Sequence, residues 1–382
     1  MRTPVPPAPP AVLATLACNL DADILGAAFP LLEAGQVEAL EWSFDTLYWA
    51  AEVPDWFTEL LHAYSGQQRL LGHGVYFSLL SGQWTREQQQ WLHQLRELAQ
   101  RYSFAHITEH FGAFTGQNFH AGAPLSVPYS PVALRIGQDR LARIAEACDC
   151  PVGLENLAFA YSFDEVKRQG EFLNELLAPV NGFLILDLHN LYCQLHNFAI
   201  DLEALLGLYA LDRVREIHIS GGSWEDSQLL PTRKIRRDTH DEAVPAEVFE
   251  LLADIIPRCP NLRYVVLEQL GNSLKTEASR AQFRHDFGLM ATLVRQHSGP
   301  PRWAAEQFLP LRPLRLGPAV QDAQLHEQQR QLSQILETAA SLSEAQQRLG
   351  ASALAHSAWQ IEQWEPYMLE TAISIAQKWK QL

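Results

Sequence analysis

The chain has 382 residues, of which 47% are hydrophobic and 19% are charged, and its formal net charge is −15 at pH 7. This length suits one large domain with an appendage, or two domains. Proteins that bind nucleic acid usually carry a basic surface, so the acidic balance argues against a nucleic-acid partner.

The cysteines and the N-terminal residues bear on the cellular localisation of the protein. None of the five cysteines forms a CxxC pair, which is typical of reduced thiols and predicts a cytoplasmic protein. Prolines separate the only N-terminal Arg from the apolar run that follows, an unusual order for a signal peptide, so we expect residues 1–10 to be a disordered tail. No apolar run approaches the ~20 residues of a membrane span.

Strand-like and helix-like segments alternate along most of the chain. The predicted strands are Val12–Leu20, Val37–Phe44, Leu70–Leu80, Ser103–His110, Pro151–Asn156, Phe183–Asn190, Val214–Gly221 and Leu262–Gln269. The predicted helices are Asp21–Ala34, Trp84–Tyr102, Val132–Ala147, Phe163–Leu177, Asp201–Tyr209, Pro245–Ile256 and Leu274–His297. Eight such units predict an α/β fold, a closed (β/α)8 TIM barrel of parallel strands. A doubly wound open sheet is the alternative, although no Gly-rich phosphate fingerprint follows the first strand.

Two long connections and the C-terminal region depart from this pattern. The segments Phe111–Pro131 and Ser223–Val244 are longer than simple turns, and loops of that length tend to be functional. A proline-containing run from residue 300 precedes two predicted helices, Val320–Leu342 and Ala351–Leu382, the second broken at Pro366. We therefore expect a barrel over residues 11–299 and a helical C-terminal extension over residues 300–382. The aromatic residues of the extension either form its own core or bind a partner.

Acidic and imidazole side chains recur where the predicted strands end. In a (β/α)8 barrel these ends carry the chemistry. Asp187 and His189, for example, would point to the same face of a strand that continues to Asn190. Converging carboxylates repel one another and are costly to bury unless a cation lies among them. The sequence therefore predicts a metal centre, with the candidate ligands His73, His110, Glu155, Asp187, His189, His218, Asp238, His240 and Glu268.

The number and type of these ligands narrow the choice of metal. One first-row ion takes about four to six ligands, so the set indicates two or three ions, with a carboxylate such as Glu155 or Asp187 as a bridge. Imidazole and carboxylate ligands without thiolate suit iron, manganese or zinc.

The motifs, taken in order, resemble those of the multinuclear non-haem iron-dependent oxidases, relatives of the methanobactin-biosynthesis oxidase (domain of unknown function 692). The resemblance covers roughly Ala11 to Arg295. It rests on HGV from His73, SFAHITEH ending at His110, LEN with Glu155, LDLHNLY with Asp187, IHISG with His218, DTH from Asp238 and LE ending at Glu268.

The resemblance implies an iron- and O2-dependent oxidoreductase of natural product biosynthesis. Two or three ions, as Fe(II) and Fe(III), would lie in the barrel mouth, with O2 as co-substrate. The substrate would be a ribosomally made precursor peptide, modified most often at cysteine, and a peptide-presenting partner protein is common in the family. The implied iron ligands are His73, His110, Glu155, Asp187, His218, Asp238, His240 and Glu268, and we expect His73, His110, Glu155, Asp187, His218 and Glu268 to be catalytic. The sequence is compatible both with a monomer and with a homo-oligomer.

The sequence also departs from the family pattern. The family usually has Asp-x-Asn-Asn where this chain has Asp187-Leu188-His189-Asn190, so His189 replaces an amide with a stronger ligand. Asn190 and Asn197 fall on matching asparagines, but Asn197-Phe198-Ala199 stands where the family tends to have Asn-His-Gly.

Three other functions fit part of the pattern. A zinc or manganese sugar isomerase would need a lysine at a strand end, and none is well placed. A phosphodiesterase of the endonuclease type would need a basic groove, which the net charge disfavours. A non-enzymatic metal-binding partner protein would have closed coordination. The basic run Arg233, Lys234, Arg236 and Arg237 either binds an acidic peptide or lies in a solvated loop.

Overall fold

The computed structural model describes residues 12–48, 50, 52–114, 124–297 and 307–380. Eight parallel strands close into a barrel, in which each strand pairs with the next along the chain and the last pairs with the first. The strands are β1 Leu13–Ala17, β2 Ala39–Trp42, β3 Leu70–Gly74, β4 Phe104–His110, β5 Val152–Glu155, β6 Phe183–Asp187, β7 Val214–Ile219 and β8 Tyr264–Leu267. The predicted (β/α)8 barrel is confirmed and the open sheet is excluded. The disordered tail predicted for residues 1–10 lies outside the described residues.

The alternation of side chains across each strand separates two buried layers. One set of apolar residues, including Ala14, Leu16 and Val265, packs with the surrounding helices in the main core. The neighbouring positions along the same strands, including Leu13 and Val266, form a small separate cluster. Since successive side chains of a strand point to opposite faces, this second cluster fills the barrel interior.

The helices surround the barrel and continue beyond it. They are α1 Ala22–Glu33, α2 Asp55–Ser65, α3 Arg86–Arg101, α4 Pro131–Cys148, α5 Phe163–Leu177, α6 Leu188–Phe198, α7 Leu202–Leu206, α8 Ala246–Ile255, α9 Glu277–His297, α10 Ala323–Thr338, α11 Leu342–Gly350 and α12 Pro366–Lys380. Polar side chains start several of them. Thr85 forms a capping box with Gln88 before α3, and the Ser130 hydroxyl accepts a hydrogen bond from Ala133 N–H before α4. Among the described residues, no helix is long and apolar enough to cross a membrane.

Several helices differ from the predictions. The helix predicted over Ala351–Leu382 begins only at Pro366, because a proline is tolerated in the first turn of a helix and not in its interior, and α11 precedes it. Helix α2 has no counterpart among the predicted helices, and the strand predicted over Phe183–Asn190 ends at Asp187. The Asp187 carboxylate accepts a hydrogen bond from Asn190 N–H at 2.5 Å, so it caps α6, which begins at Leu188. The prediction that Asp187 and His189 share one face of a strand is therefore wrong.

Short hairpins occupy the long connections at the C-terminal ends of the strands. Ala113–Phe114 pairs with Pro124–Leu125 after β4, and Trp224–Asp226 pairs with Lys234–Arg236 after β7. The strand predicted over Leu70–Leu80 also ends earlier, at Gly74, so the segment after it joins this end of the barrel.

The segment from residue 307 to α12 contacts both ends of the barrel. At the N-terminal end of β6, Phe308 is 3% exposed and packs on Phe183. At the opposite end, the backbone N–H of Asp322 donates to the carbonyl of Gly82 in the connection that follows β3. The extension is therefore fastened along the height of the barrel rather than attached at one point.

The last helix and the residues just before it pack against the loops at the C-terminal end of the barrel. The Trp364 ring stacks on Tyr161 at 3.8 Å between ring centroids, and the Tyr367 hydroxyl donates to the carbonyl of Asn197 at 2.8 Å. Glu370 accepts a hydrogen bond at 2.7 Å from the hydroxyl of Ser227, which lies in the hairpin after β7. Trp364 and Tyr367 thus bury their side chains against the barrel itself.

Replacing Asp45 should remove one source of pH-dependent stability. Asp45 is fully buried and accepts hydrogen bonds from Tyr76 N–H and the Trp91 indole. Burial raises its pKa to about 6, so the folded state holds this proton more tightly than the unfolded state. Its contribution to stability is full below the unfolded pKa and falls by about 3 kcal/mol in total as the pH rises through about 6, of which about 2 kcal/mol is lost between pH 4.5 and pH 7. We expect Asp45→Asn to lose this decline in urea unfolding at pH 4.5 and pH 7, and equal declines in both proteins would contradict it.

Candidate metal centre

Glu155, the last residue of β5, lies in the middle of the candidate site. Its Oε2 atom is 3.5 Å from Nε2 of His73 and 3.6 Å from Nε2 of His110. Its Oε1 atom is 3.7 Å from Nδ1 of His218. The two oxygens of one carboxylate therefore face imidazoles that come from opposite sides.

His73, on β3, presents a nitrogen that carries no hydrogen. Its Nδ1 atom is 2.9 Å from the Thr108 hydroxyl, which lies 3.2 Å from the carbonyl oxygen of Gly72. A carbonyl oxygen can only accept, so the single hydrogen of the Thr108 hydroxyl goes to Gly72. The hydroxyl oxygen then accepts a hydrogen bond from Nδ1–H of His73. The Nε2 lone pair, which faces Glu155, is then free to bind a metal.

Asp187 is fixed by two asparagines. Its N–H donates to Oδ1 of Asn156 at 2.7 Å, and Nδ2 of Asn156 donates to its carbonyl at 3.2 Å. Asn190 binds the Oδ1 atom through its backbone, as described above, and its Nδ2 atom donates to the Asn156 carbonyl at 2.8 Å. The remaining Oδ2 atom is buried and makes no hydrogen bond with any described residue.

Three groups of described side chains bring their ligand atoms within 4.8 Å of one another. The first group is His73, His110 and Glu155, the second is Glu155, Asp187, His218 and Glu268, and the third is Glu41, Glu216 and His218. The structure thus brings six of the predicted ligands together. Glu155 belongs to both the first and the second group.

Burial sets the protonation of this cluster in favour of a cation. Burial lowers the pKa of His73 and lowers that of His110 to about 4, so both imidazoles are neutral at pH 7. Burial also raises the pKa of Glu155, and together with the charge of Asp238 it raises that of Asp187 to about 7. Carboxyl groups that are this costly to ionise need either a proton or a metal ion beside them.

Unpaired acceptors show that the cluster fits a metal ion. Oδ2 of Asp187 and Nδ1 of His218 are both buried without a hydrogen-bond partner in the described chain. Nδ1 of His218 instead lies 3.3 Å from Oε2 of Glu268. Burial alone would lower the pKa of His218, but Glu268 and Glu41 outweigh it and raise that pKa well above its usual range. These carboxylates therefore need a cation among them, either the imidazolium or a metal ion.

Asp238 and His240 lie beside this cluster. Nε2 of His240 is 2.9 Å from Oδ1 of Asp238, and its Nδ1 is 3.8 Å from Oε2 of Glu268. Burial alone would lower the pKa of His240, but Asp238 outweighs it and raises that pKa to about 10. These two predicted ligands therefore extend the site on the side of Glu268 and pair with each other.

His189 lies behind Asp238, with both ring nitrogens in contact with other side chains. Its Nδ1 atom is 2.9 Å from Oδ1 of Asp238, and its Nε2 atom is 3.0 Å from Nε of Arg236. An arginine nitrogen can only donate, so Nε2 accepts and Nδ1–H donates to Asp238. The structure does not bring His189 into any of the three converging groups.

Sequence reasoning missed three buried polar residues below the cluster. Glu41 on β2 and Glu216 on β7 lie 3.3 and 3.1 Å from Nε2 of His218, and His106 on β4 lies 2.6 Å from Glu216. The signal was available in the strand period. Glu216 stands two residues before His218, and His106 stands two before Thr108, so each pair shares the inner face.

The basic run after β7 is occupied by contacts within the chain. Arg233 stacks on the Tyr367 ring at 3.8 Å, Arg236 donates to His189, and Arg237 pairs with Glu225. These three guanidinium groups therefore hold the hairpin in place, and Lys234 is the exposed member of the run.

Residues 49–282 match the sequence model of a family described as RiPP precursor modification enzymes MbnB/TglH/ChrH. A UPF0276 protein from Chromobacterium violaceum is 30% identical over 187 residues, which cover 49% of this chain and 64% of that protein. A UPF0276 protein from Anaeromyxobacter sp. (strain Fw109-5) is 32% identical over 189 residues, covering 49% and 63%. The chain thus spans less than two thirds of the length of these relatives.

Solved structures share only the architecture. A xylose isomerase domain protein from Planctomyces limnophilus has a TM-score of 0.48 and 14% identity, covering 74% of this chain and 97% of that chain. Endonuclease IV from Thermus thermophilus has a TM-score of 0.45 and 16% identity, covering 72% and 97%. Likenesses of this degree carry no argument about function.

Replacing His189 should destabilise the metal-free protein. His189→Asn leaves the buried Arg236 guanidinium and Asp238 without their imidazole partner, which should cost about 1–3 kcal/mol in urea unfolding. His196→Asn is the matched control, because His196 is an exposed histidine of the same helix, and it should change stability by less than about 0.5 kcal/mol. Equal stability of the two variants without metal would leave metal binding as the remaining role of His189.

Proposed function

Because the chain belongs to the family of RiPP precursor modification enzymes MbnB/TglH/ChrH, we propose that it is an iron-dependent oxidoreductase that uses O2 to modify a ribosomally made precursor peptide at cysteine. The observation that carries this proposal is the position of Glu155 between two sets of imidazole and carboxylate ligands. A shared carboxylate between neighbouring ligand sets is what a multinuclear centre needs.

Each set has a role in the proposed centre. His73, His110 and Glu155 would hold one ion, while Asp187, His218, Glu268 and the same Glu155 would hold a second. Asp238 and His240 would complete the second ion or hold a third, beside Glu268. We propose that His189 positions Asp238 instead of binding metal, because both of its nitrogens are engaged. Nitrogen and oxygen ligands without thiolate suit iron.

The centre would leave one side accessible to substrate. The side chain of Asp187 is among the fully buried ones, whereas those of His110, Asp238 and His240 are about a quarter exposed. A substrate thiol would approach across this exposed edge and lose its proton beside the cations. The iron, when bound, would supply the redox chemistry with O2.

The residues of the chain would prepare the site for that chemistry. Thr108 keeps the hydrogen of His73 on Nδ1 and so leaves Nε2 free for the metal. Asn156 and Asn190 hold Asp187 in one orientation, and the surrounding strands exclude water. These contacts hold the His73 ring and the Asp187 carboxylate in fixed orientations, which the proposed chemistry requires.

The proposal includes the cellular setting. All five cysteines are free thiols in the structure, which supports a cytoplasmic protein. The precursor peptide would be the substrate partner. We also propose that a separate protein presents this peptide to the metal centre.

Iron analysis and O2 uptake test this function together. Protein purified without air and loaded with Fe(II) should hold two or three irons per chain and give Mössbauer signals of coupled iron. O2 uptake should follow the addition of a cysteine-containing peptide encoded beside the gene, and its Cys→Ser form should give none. Stoichiometric zinc without iron, together with no O2 uptake, would refute the oxidase.

Replacing Glu155 should separate the two ligand sets. Glu155→Gln removes the charge that both sets share, so iron content should fall to one ion or none per chain. O2 uptake should fall by more than the roughly 10- to 100-fold typical of outer-shell partners. Glu38→Gln is the control, because Glu38 lies at the opposite end of the barrel, where it binds Ala14 N–H at 2.8 Å. An unchanged iron content in Glu155→Gln would contradict the bridging role.

A further inference from the structure

The last helix of the C-terminal extension turns one polar face toward the hairpin after β7. Tyr367, Glu370 and Ser374 follow one another at spacings of three and four residues, which places them on the same side of α12. Apolar residues of the same helix, including Met368 and Ala372, are buried in the main core. The function proposed above gives no role to this polar face.

Two side chains of this face bind the hairpin directly. The Glu370 carboxylate accepts hydrogen bonds from the Ser227 hydroxyl at 2.7 Å and from Gln228 N–H at 3.0 Å. The Ser374 hydroxyl donates to Glu225 at 3.1 Å. Ser227 is buried, so its bond to Glu370 is shielded from water. The first strand of the hairpin and the turn that follows it are therefore both fastened to α12.

One route from α12 to the candidate metal centre passes through the hairpin. Glu225, which accepts from Ser374, also pairs with the guanidinium of Arg237. Arg237 directly precedes Asp238, and its N–H donates to the carbonyl of Ser223 at 2.9 Å. The main chain is thus held on both sides of the hairpin immediately before Asp238 leaves it.

A second route passes through Asn197, near the end of α6. Its carbonyl accepts from the Tyr367 hydroxyl at 2.8 Å. Its side-chain amide exchanges two hydrogen bonds with the backbone of Arg236, at 2.9 and 3.0 Å. The Arg236 guanidinium contacts His189, and His189 contacts Asp238 at 2.9 Å. The two routes therefore start on one face of α12 and converge on Asp238.

We propose that α12 holds in place the loop that carries Asp238 and His240, with Tyr367, Glu370 and Ser374 as positioning residues. The other proposed ligands lie in strands of the barrel or directly after them. Asp238 and His240 instead follow a hairpin, and a loop needs support that the barrel strands supply to their own residues. The inference rests on the proposed function only in taking these two residues as ligands of an ion.

Hydrogen exchange of the metal-free full chain measures this support directly. Glu370→Ala removes the acceptor of Ser227 and Gln228, so the backbone amides of residues 223–240 should exchange about 10-fold faster than in the wild type. Glu370→Gln keeps an acceptor for Gln228 N–H and can donate to the Ser227 hydroxyl, so it should restore wild-type exchange. Wild-type exchange in Glu370→Ala would overturn the proposal.

Glu344→Ala is the matched control. Glu344 is a half-buried glutamate of the same extension that accepts from Ala340 N–H at 3.0 Å and pairs with Arg348 on α11. Its removal should leave the exchange of residues 223–240 unchanged, because these contacts lie within the extension. Equal acceleration in Glu344→Ala and Glu370→Ala would indicate a general loosening of the extension and would also overturn the proposal.

Metal affinity provides the second readout, with Zn(II) as the probe in competition with a chromophoric chelator. Glu370→Ala should weaken the last Zn(II) to bind by about 10-fold, because Asp238 and His240 must then be ordered at the expense of binding. Glu370→Gln and Glu344→Ala should bind Zn(II) as the wild type does. Equal Zn(II) affinity of Glu370→Ala and the wild type would overturn the proposal.

A second variant covers the case in which Glu370→Ala does not fold. Tyr367→Phe keeps the ring that Arg233 stacks on but removes the donor to the Asn197 carbonyl. It should also accelerate exchange over residues 223–240, and wild-type exchange in this folded variant would overturn the proposal. A wild type that binds neither Zn(II) nor Fe(II) would instead refute the proposed function, while hydrogen exchange would still decide whether α12 holds this loop.

Discussion

The main physical constraint on this structure is the free-energy cost of burying several carboxylates close together. Glu155, Asp187 and Glu268 meet at the C-terminal end of the barrel, where little water reaches them. Without compensation, their mutual repulsion and lost hydration would exceed the few kcal/mol that separate a folded domain from an unfolded one. The imidazoles among them and the cations that we propose there provide that compensation.

The barrel satisfies this requirement through its regular geometry. Parallel strands end at one edge, and the alternation of side chains directs every second residue inward. Some ligands that point inward are fixed by a neighbour, as the Thr108 hydroxyl fixes the His73 ring and Asn190 N–H fixes the Asp187 carboxylate. These contacts set which atom of His73 and Asp187 faces the centre.

Much of this arrangement follows from sequence, and the limits have physical causes. The period of two in SFAHITEH and VREIHISG, together with the alternation of strands and helices, predicts a barrel with convergent ligands. The start of α6 was missed because an apolar strand followed by Asp, Leu and His reads as a continuing strand until the capping bond of Asp187 is known. The place of His189 was missed for a related reason. Its partner Arg236 comes from a hairpin 47 residues away, and no local pattern reports that contact.

The attachment of the extension has a consequence for cooperativity. Phe308 packs where β6 begins, while Gly82 and Tyr161 hold the following helices at the other end of the strands. These three contact sites follow or begin different strands, so they are correctly placed relative to one another only when the barrel is closed. Opening the barrel would release the extension, and releasing the extension would expose the ring of Phe308 and its apolar seat to water. Barrel and extension are therefore expected to unfold in a single transition, although the chain is long enough for two.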